Sequence, residues 1–317
     1  MVKSNSKQTT DTILMVSPDS FSFNYETAGS NSFQNKFKGD EKLLNKMVMN
    51  EFNNMVKLFR DNDVNVIVLH HKDESLPDAV FPNNWFSTDD NGHIIVYPLL
   101  TKNRRKEKDI TLLKNKLTEN NFEFNEITDL SKYEEQNLIL EGTGSLILDK
   151  EHNAVFAIES ERTNKKMFEI YCDIQKIPNE SRVFFHANDE SGNPIYHTNV
   201  IMSIGRGFAV ICDECISKDE KDYVMNRLTA LDLKVITINY KQLNSFCGNI
   251  LNIHSAKGES LIVMSESAYK NFDPAQKTEL KKFGRIIHSD ITTIENVGGG
   301  SARCMMAEIF LNPRISK

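Results

Sequence analysis

The sequence has few of the residues that divide a chain into separate modules. Its 317 residues include 8 prolines and 14 glycines, which are scattered without forming a Ser-, Gly- or Pro-rich linker. No stretch approaches the roughly 18 apolar residues of a membrane helix, and the polar start MVKSNSKQTTDT lacks the apolar run of a signal peptide. We therefore expect one cytoplasmic domain over residues 1–317, with residues 1–11 as a flexible tail.

The chain also lacks an excess of positive charge. Lys and Arg number 38 against 44 Asp and Glu, which leaves a net charge of −6. This balance provides no electrostatic reason to bind nucleic acid or an anionic membrane. Five cysteines are an odd number and too few for a disulfide framework in a chain of this length. With 39% hydrophobic and 26% charged residues, the composition is that of a folded domain with reduced thiols.

A loose internal repeat organises most of the chain. In each unit, two apolar runs flank turn residues, and a helical stretch and another short apolar run follow. The paired runs are NNWFST with HIIVYPL, TGSLIL with AVFAIES, NVIMSI with FAVIC, and NILNI with SLIVMSES. The first and fourth pairs are followed by KNRRKEKDITLLKNKL and SAYKNFDPAQKTELKKF, each of which we expect to be a helix. Equivalent points at steps of 59, 56 and 50 residues are Asn84, Thr143, Asn199 and Asn249.

The two ends of the chain supply a fifth unit. TILMVSP opens the chain and CMMAEIFL closes it, so we expect these two runs to pair. A ring of five units closed by its own ends would leave no exposed sheet edge. Ordinary alternation of strands and helices would give similar spacing, and both interpretations place the chain in the α/β class.

Segment 296–311, NVGGGSARCMMAEIFL, carries the strongest chemical signal. Three consecutive glycines, Gly298–Gly300, lose backbone entropy on folding and pack nothing, which suits a place where the backbone passes close to another group. Cys304 follows directly, and a thiol beside exposed amides can serve as a nucleophile. The alternative is a glycine turn before a strand that holds a small buried cysteine.

Two further residues occupy points of the repeat equivalent to the start of the Cys304 strand. His197, in NPIYHTNVIMSI, could supply the acid or base that a thiol nucleophile needs. Glu141, in LILEGTGSLIL, is a carboxylate in an apolar context that is costly to bury without a partner. It could orient a protonated histidine or stabilise a cation. The alternatives are a structural histidine and a solvated acid in a turn.

The first unit holds PDAVFPNNWFS at the corresponding point. We expect Phe81 and the only tryptophan, Trp85, to lie in the core. Asn83 and Asn84 stand in an apolar run, so their amides need hydrogen-bond partners.

Four motifs, FPNNW, LEGTG, HTN and GGGSARC, in this order resemble the guanidino-group-modifying (pentein) superfamily. Its members include arginine deiminase, dimethylarginine dimethylaminohydrolase, agmatine deiminase and the amidinotransferases. The resemblance covers nearly the whole chain and implies a five-bladed, pseudo-symmetric α/β propeller of ββαβ units, closed by the N- and C-terminal strands. By motif position, Cys304 matches the family's nucleophile, His197 its general acid/base, and Glu141 the acid of the deiminases' E-G-G motif.

Two departures from the family pattern point to a particular substrate. Asn84 stands where the F-x-R-D motif of arginine deiminases has its aspartate, and Asn199 replaces the aspartate of the H-x-D motif. A guanidinium offers only N–H donors and a positive charge, which carboxylates suit. A neutral ureido group also has a carbonyl oxygen that needs a donor, and an amide can supply one. The pattern therefore resembles the citrulline hydrolase (citrulline ureidase) branch of the superfamily.

The resemblance implies a hydrolase of the ureido C–N bond of L-citrulline, which forms ornithine, ammonia and carbon dioxide through a thioester on Cys304. Phe81 and Asn83 would join Asn84 and Asn199 in binding substrate. Of two neighbouring arginines, Arg104 or Arg105 resembles the residue that grips the α-carboxylate.

No metal or organic cofactor is implied, the partner is a small amino-acid substrate, and a homodimer is possible. Alternatives on the same scaffold are deimination of arginine, agmatine or methylarginine, amidino transfer, and a non-catalytic pentein binding protein.

Overall fold

The computed structural model of the protein describes residues 7–73 and 75–314, in which 15 strands form five three-stranded sheets. The first sheet contains β15 (Ala307–Glu308), β1 (Thr12–Val16) and β2 (Asn65–Leu69). The second contains β3 (Phe86–Thr88), β4 (His93–Val96) and β5 (Glu126–Asp129), and the third β6 (Ile147–Asp149), β7 (Ala154–Ile158) and β8 (Arg182–Phe185). The fourth contains β9 (Met202–Gly205), β10 (Phe208–Cys212) and β11 (Lys234–Ile238), and the fifth β12 (Leu251–His254), β13 (Ser260–Ser265) and β14 (Arg285–Ser289).

Every sheet has the same pairing pattern. Its middle strand pairs antiparallel with the first strand and parallel with the third, which follows the intervening helices. In the first sheet, β1 pairs antiparallel with β15 at Ile13 and Glu308, so the two ends of the chain share one sheet. The predicted α/β class, the five units and the pairing of the terminal strands are confirmed.

The helices depart from the sequence prediction at two places. The expected single helix after the second sheet's hairpin divides into α2 (Lys102–Arg105) and α3 (Ile110–Glu119), because Asp109 caps a new start by accepting from the Leu112 N–H. The helix predicted after β13 divides into α9 (Glu266–Asn271) and α10 (Pro274–Leu280), because Pro274 suits a first helical turn and not an interior one. The others are α1 (Glu41–Asp61), α4 (Gly142–Ser145), α5 (Lys165–Ile174), α6 (Thr198–Ile201), α7 (Lys218–Ala230), α8 (Tyr240–Leu243) and α11 (Thr292–Gly298).

The middle strands form the core of each unit. All five residues of β1, β7 and β10 are buried, as expected for strands covered on both faces. Helix α1 packs a stripe that includes Val48, Phe52 and Phe59 into the same core. Among residues 7–73 and 75–314, we find no helix long and apolar enough to cross a bilayer.

The N-terminal segment is more ordered than the sequence predicts. Gln8 is buried and donates to the carbonyls of Leu148 and Ile204 at 2.9 and 3.3 Å. Thr10 is also buried and donates to the Ile309 carbonyl at 2.6 Å. The prediction of a flexible tail is therefore wrong for residues 8–11, and residues 1–6 lie outside the described part of the chain.

The turns that precede the first strands of the units converge, as the repeat predicts. A side chain at Gly144 in α4 would lie 2.4 Å from Asn84 Nδ2 and 2.8 Å from His197 Cε1. The Asn249 side chain donates to the Asn199 carbonyl at 3.0 Å. Equivalent points of different units are thus in direct contact, and the candidate site residues of the motifs lie there.

Candidate active site

Four side chains that the motifs single out lie at the starts of four different units. All of them are at most 3% exposed, although three are polar or charged and the fourth is a thiol. A buried polar group needs a partner, so their contacts show how the site is built. They are Asn84 in the turn Pro82–Asn84, Glu141 before α4, His197 before α6 and Cys304 in the turn Ala302–Met305.

Glu141 and His197 form a hydrogen-bonded pair, with 2.8 Å between Glu141 Oε2 and His197 Nε2. The other carboxylate oxygen, Oε1, accepts from the Leu100 N–H at 3.1 Å. The backbone of Glu141 is also tied down, because its N–H donates to the Arg162 carbonyl at 3.1 Å. A carboxylate fixed in this way orients the imidazole and leaves Nδ1 as the nitrogen that can exchange a proton with a ligand.

Burial and neighbouring charges act in opposite directions on this pair. Burial by itself would raise the pKa of Glu141, but Arg162, the hydrogen bond with His197 and Arg104 outweigh it and hold that pKa well below its usual range. Burial lowers the pKa of His197, and the attraction of Glu141 offsets only part of this effect. At neutral pH the pair is therefore a carboxylate beside a neutral imidazole.

Cys304 is held by amide groups. Asn199 Nδ2 and Asn249 Nδ2 lie 3.4 and 3.3 Å from Cys304 Sγ. The amide oxygen of Asn199 is buried and has no hydrogen-bond partner among residues 7–73 and 75–314. Asn199 thus donates to the sulfur on one side and presents a vacant acceptor on the other.

Asn84 has the opposite arrangement. Its Oδ1 accepts from Arg104 Nη1 at 2.7 Å, and Arg104 forms two further 2.9 Å hydrogen bonds with the carboxylate of Glu107. Because a guanidinium can only donate, this contact fixes which end of the Asn84 amide faces it. Asn84 Nδ2 therefore faces away from Arg104, and it is buried without a hydrogen-bond partner among the described residues.

Phe81 and Asn83, which were also predicted to bind substrate, are both buried next to the site. Phe81 is buried and packs on the glycine run, since a side chain at Gly298 or Gly300 would lie 2.8 or 2.9 Å from its ring. Asn83 is buried, and neither polar atom of its side chain finds a partner within the described ranges.

Arg105 does not join the site. It is partly exposed and donates to the carbonyls of Leu99 and Leu100 at 2.8 and 3.0 Å. Of the two arginines that the motif left open, only Arg104 contacts the buried site.

Two charged residues belong to the site although no motif pointed to a role for them. Arg162 is buried, lies 3.5 Å from Glu141 Oε2 through Nη1, and leaves Nε without a partner in the described residues. Asp78 is buried, accepts from Thr27 Oγ1 at 3.2 Å through Oδ2, and leaves Oδ1 without one. Burial raises the pKa of Asp78, although Arg104 opposes this effect.

Segment 24–35 covers the site. Thr27 contacts both Asp78 and Arg162, and Ser30 Oγ accepts from Arg162 Nη2 at 2.9 Å. Gly299 has a φ of 67°, and a side chain there would lie 2.6 Å from Asn31 Nδ2. The glycine run therefore meets the expectation of close backbone approach.

A cavity of about 1060 Å³ lies beside the site. Ser30 and Tyr196 line it, and both residues also contact the buried groups: Ser30 binds Arg162, and the Tyr196 ring lies 5.0 Å from the Arg162 guanidinium. Ser30 and Tyr196 therefore connect the wall of this cavity with the buried site.

Different signals would have been needed to find the missed residues. Asn249 occupies an equivalent point of the repeat, so the repeat alone could have placed it near Cys304. Arg162 lies in the segment ERTN after β7, and nothing local distinguishes it from a solvated turn residue. Its role depends on contacts with Glu141 and with segment 24–35 that only the folded chain creates.

Comparison with known proteins identifies the family and the fold of the chain. Residues 17–311 match the family model described as N,N dimethylarginine dimethylhydrolase, eukaryotic. No curated protein matches the sequence significantly. The product-bound N-terminal domain of ArgZ, an arginine dihydrolase from the ornithine–ammonia cycle in cyanobacteria, has a TM-score of 0.73 at 18% identity, with 96% of this chain and 99% of that domain covered.

Two further solved structures share the fold. AgrE in complex with ornithine and NAD⁺ has a TM-score of 0.71 at 18% identity, and the match covers 96% of this chain but 40% of AgrE. A dimethylarginine dimethylaminohydrolase adduct with S-methyl-L-thiocitrulline has a TM-score of 0.62 at 14% identity, covering 94% and 99% of the two chains. The family model covers most of the sequence, and the structures agree with it at the level of fold. The chain therefore belongs to the N,N-dimethylarginine dimethylhydrolase family, within the pentein superfamily of guanidino-group-modifying enzymes.

Proposed function

We propose that the protein hydrolyses the ureido group of L-citrulline and forms ornithine, ammonia and carbon dioxide. The observation that carries this proposal is the buried Asn84 Nδ2 donor, which has no partner in the described residues and cannot be exchanged for its oxygen because Arg104 occupies that side. A ureido carbonyl oxygen would satisfy this donor, whereas a guanidinium has no acceptor to offer it.

Asn199 complements this recognition. Its vacant Oδ1 is an acceptor for a ureido N–H, and its Nδ2 already donates to Cys304. A buried polar group left without a partner costs about 1–3 kcal/mol. One donor and one acceptor together therefore favour a neutral group that carries both functions over a cation that carries only donors.

The amino-acid end of the substrate would bind at Arg162 and Asp78. The vacant Nε of Arg162 is a donor for an α-carboxylate, and the vacant Oδ1 of Asp78 is an acceptor for an α-ammonium group. Asp78 and Arg162 both contact Thr27, so the two residues lie close together across one shared neighbour. This assignment gives the carboxylate to Arg162, because all the polar groups of Arg104 are turned toward Glu107, Asn84 and the Phe81 carbonyl.

The first chemical step uses the neutral state of His197. The Cys304 thiol passes its proton to His197, and its sulfur forms a bond with the ureido carbon while the carbonyl electrons move onto the oxygen near Asn84. The imidazolium, held by Glu141, then protonates the leaving nitrogen as the C–N bond breaks. Ornithine leaves, and a carbamoyl group remains on the sulfur.

The second step regenerates the enzyme. His197, neutral again, takes a proton from water as the water oxygen attacks the carbamoyl carbon. The C–S bond breaks, the electron pair returns to the sulfur of Cys304, and His197 passes its proton back to that sulfur. The carbamate released breaks down to ammonia and carbon dioxide.

Arginine dihydrolysis is the second candidate. The buried site contains three carboxyl groups, on Asp78, Glu107 and Glu141, against the two guanidinium groups of Arg104 and Arg162. An excess of acid can accommodate a cationic substrate. The structurally similar ArgZ is an arginine dihydrolase.

Product analysis tests the proposal. Purified protein is incubated separately with citrulline and with arginine, and ornithine, citrulline and ammonia are quantified, with Cys304→Ala as the blank. We expect ornithine and ammonia from citrulline and little consumption of arginine. Ornithine from arginine at an equal or higher rate would support the second candidate, and citrulline accumulating from arginine would show a deiminase.

A further inference from the structure

Asn249 is fixed so that its NH₂ group faces the sulfur of Cys304. Its side chain is fully buried, and its Oδ1 accepts from the Arg303 N–H at 3.0 Å. Its Nδ2 donates to the backbone carbonyl of Asn199 at 3.0 Å and to Cys304 Sγ at 3.3 Å. A backbone N–H can only donate and a backbone carbonyl can only accept, so the opposite amide orientation would lose both backbone contacts.

Two amide groups donate hydrogen bonds to the sulfur. Asn199 Nδ2 is the second donor, at 3.4 Å, and within residues 7–73 and 75–314 no Lys, Arg or His side chain hydrogen-bonds Cys304. The sulfur lies 3.7 Å from Asn249 Oδ1, farther than from Asn249 Nδ2. The contacts therefore suit a sulfur that accepts hydrogen bonds better than one that donates.

The local sequence allows this approach. Gly248 precedes Asn249, and a side chain there would lie 2.4 Å from the Val200 carbonyl oxygen and 2.8 Å from the Ile201 carbonyl carbon. Only glycine lets the turn before β12 pack against α6 at this distance. The pair Gly248–Asn249 is thus built to place the amide between α6 and the turn that holds Cys304.

We propose that Asn249 is a further catalytic residue, which together with Asn199 stabilises the thiolate that Cys304 becomes when its thiol gives up the proton. The inference rests on the proposed function in one respect, that Cys304 is the nucleophile for a neutral group. Such a substrate brings no positive charge to the sulfur, so the protein itself must supply the donors. When the thiol ionises during the reaction, its proton passes to His197, the electron pair stays on sulfur, and the two amides donate to the sulfur in charge-assisted hydrogen bonds.

Alkylation of the substrate-free protein tests this role. Iodoacetamide, which is smaller than citrulline, forms an S–C bond with the thiolate and releases iodide, and the modified Cys304 peptide is quantified by mass spectrometry across a range of pH. We expect the midpoint of the profile to move up by about one pH unit in Asn249→Ala, because one donor is lost, and further in Asn249→Asp. The matched control is Asn252→Ala, a buried asparagine in β12 that bonds Ser260 and Leu261, and its profile should coincide with the wild type.

Asn249→Asp also addresses folding, because it keeps the shape of the side chain and the acceptor for the Arg303 N–H. Thermal melting identifies which variants are folded, and the ultraviolet absorbance of the thiolate, measured as the difference from Cys304→Ser, provides a second titration. A folded Asn249→Asp variant whose two profiles match the wild type would overturn the proposal. Neither readout uses citrulline, so failure of the proposed substrate and failure of this role are separate results.

Discussion

The turn at Asn84 and the turn at Asn249 are equivalent points of the repeat, and each places a buried asparagine beside the site. At Asn84 the amide oxygen is taken by the side chain of Arg104, and the NH₂ group is left vacant. At Asn249 the oxygen is taken by the backbone N–H of Arg303, and the NH₂ group donates to Cys304. In both turns, a partner that can only donate selects the oxygen.

The difference shows how one residue type serves two tasks on a repeated scaffold. A carboxylate at either point would present only acceptors, whereas an amide presents a donor once its oxygen is engaged. In the mechanism proposed above, the Asn84 turn directs that donor at the substrate, and the Asn249 turn directs it at Cys304. Neighbouring residues, and not the repeat itself, therefore determine what each asparagine does.

The largest expected effect comes from removing the sulfur of Cys304. This change deprives Asn249 of its hydrogen-bond partner and leaves the Asn84 turn intact. Cys304→Ala should lower citrulline turnover by about 10⁴-fold or more, the loss typical of a missing nucleophile. Citrulline should still bind in calorimetry, since Asn84 and Arg162 are unchanged. The control is Cys172→Ala, a buried thiol of α5 outside the site, which should keep full activity. Equal losses in both variants would mean that Cys304 is structural.

Replacing the hydrogen-bond donor of Asn84 by an acceptor should have the next largest effect. Asn84→Asp replaces the vacant donor by an acceptor facing the ureido oxygen, and we expect citrulline turnover to fall by about 10²- to 10³-fold, with a relative gain for arginine. Steady-state kinetics on both substrates measure the change. Inhibition by ornithine, which has no ureido group, should stay as in the wild type and so reports that the amino-acid end still binds. Unchanged citrulline kinetics would contradict the assignment of Asn84.

Much of this site could be predicted from the sequence. The orientation of the Asn84 and Asn249 amides could not. Cys304, His197 and Glu141 stand in motifs, and Asn84 and Asn199 are visible as departures from them. Which end of each amide is free depends on partners far along the chain, such as Arg104 for Asn84, and no local pattern records this.

Two other features show the same limit of sequence reasoning. Arg104 and Arg105 are consecutive on a four-residue helix and point in different directions, so only the structure separates them. The break at Pro274, in contrast, could have been predicted from helix chemistry alone.

A smaller effect is expected at the amino-acid end of the site. Arg162→Gln should raise the KM for citrulline by about 10- to 100-fold, because one charge-assisted hydrogen bond is lost, and should lower kcat to the extent that Glu141 shifts. Arg182→Gln is the control, since Arg182 also pairs with carboxylate groups, those of Glu169 and Asp173, but lies at the start of β8, away from the site. A KM that moves equally in both variants would indicate general destabilisation and not carboxylate binding.

The smallest expected effect concerns the protonation state of His197. This state determines whether the proton given to the leaving nitrogen comes from Cys304 or is already on His197. Because burial lowers the pKa of His197, the unfolded chain binds a proton on this residue at a higher pH than the folded chain does. Stability should therefore fall as pH drops below about 6.5, and between pH 7 and 5.5 His197 should account for a loss of about 1 kcal/mol. Urea unfolding gives the free energy of unfolding of the wild type and of His197→Asn at pH 7 and at pH 5.5. The loss due to His197 is the drop in this free energy in the wild type minus the drop in the variant. Glu141 does not contribute in this window, because its lowered pKa affects stability only below about 4.5. If the wild type instead gains stability relative to the variant on acidification, the folded protein holds an imidazolium, and the proton for the leaving nitrogen is present before Cys304 gives up its own.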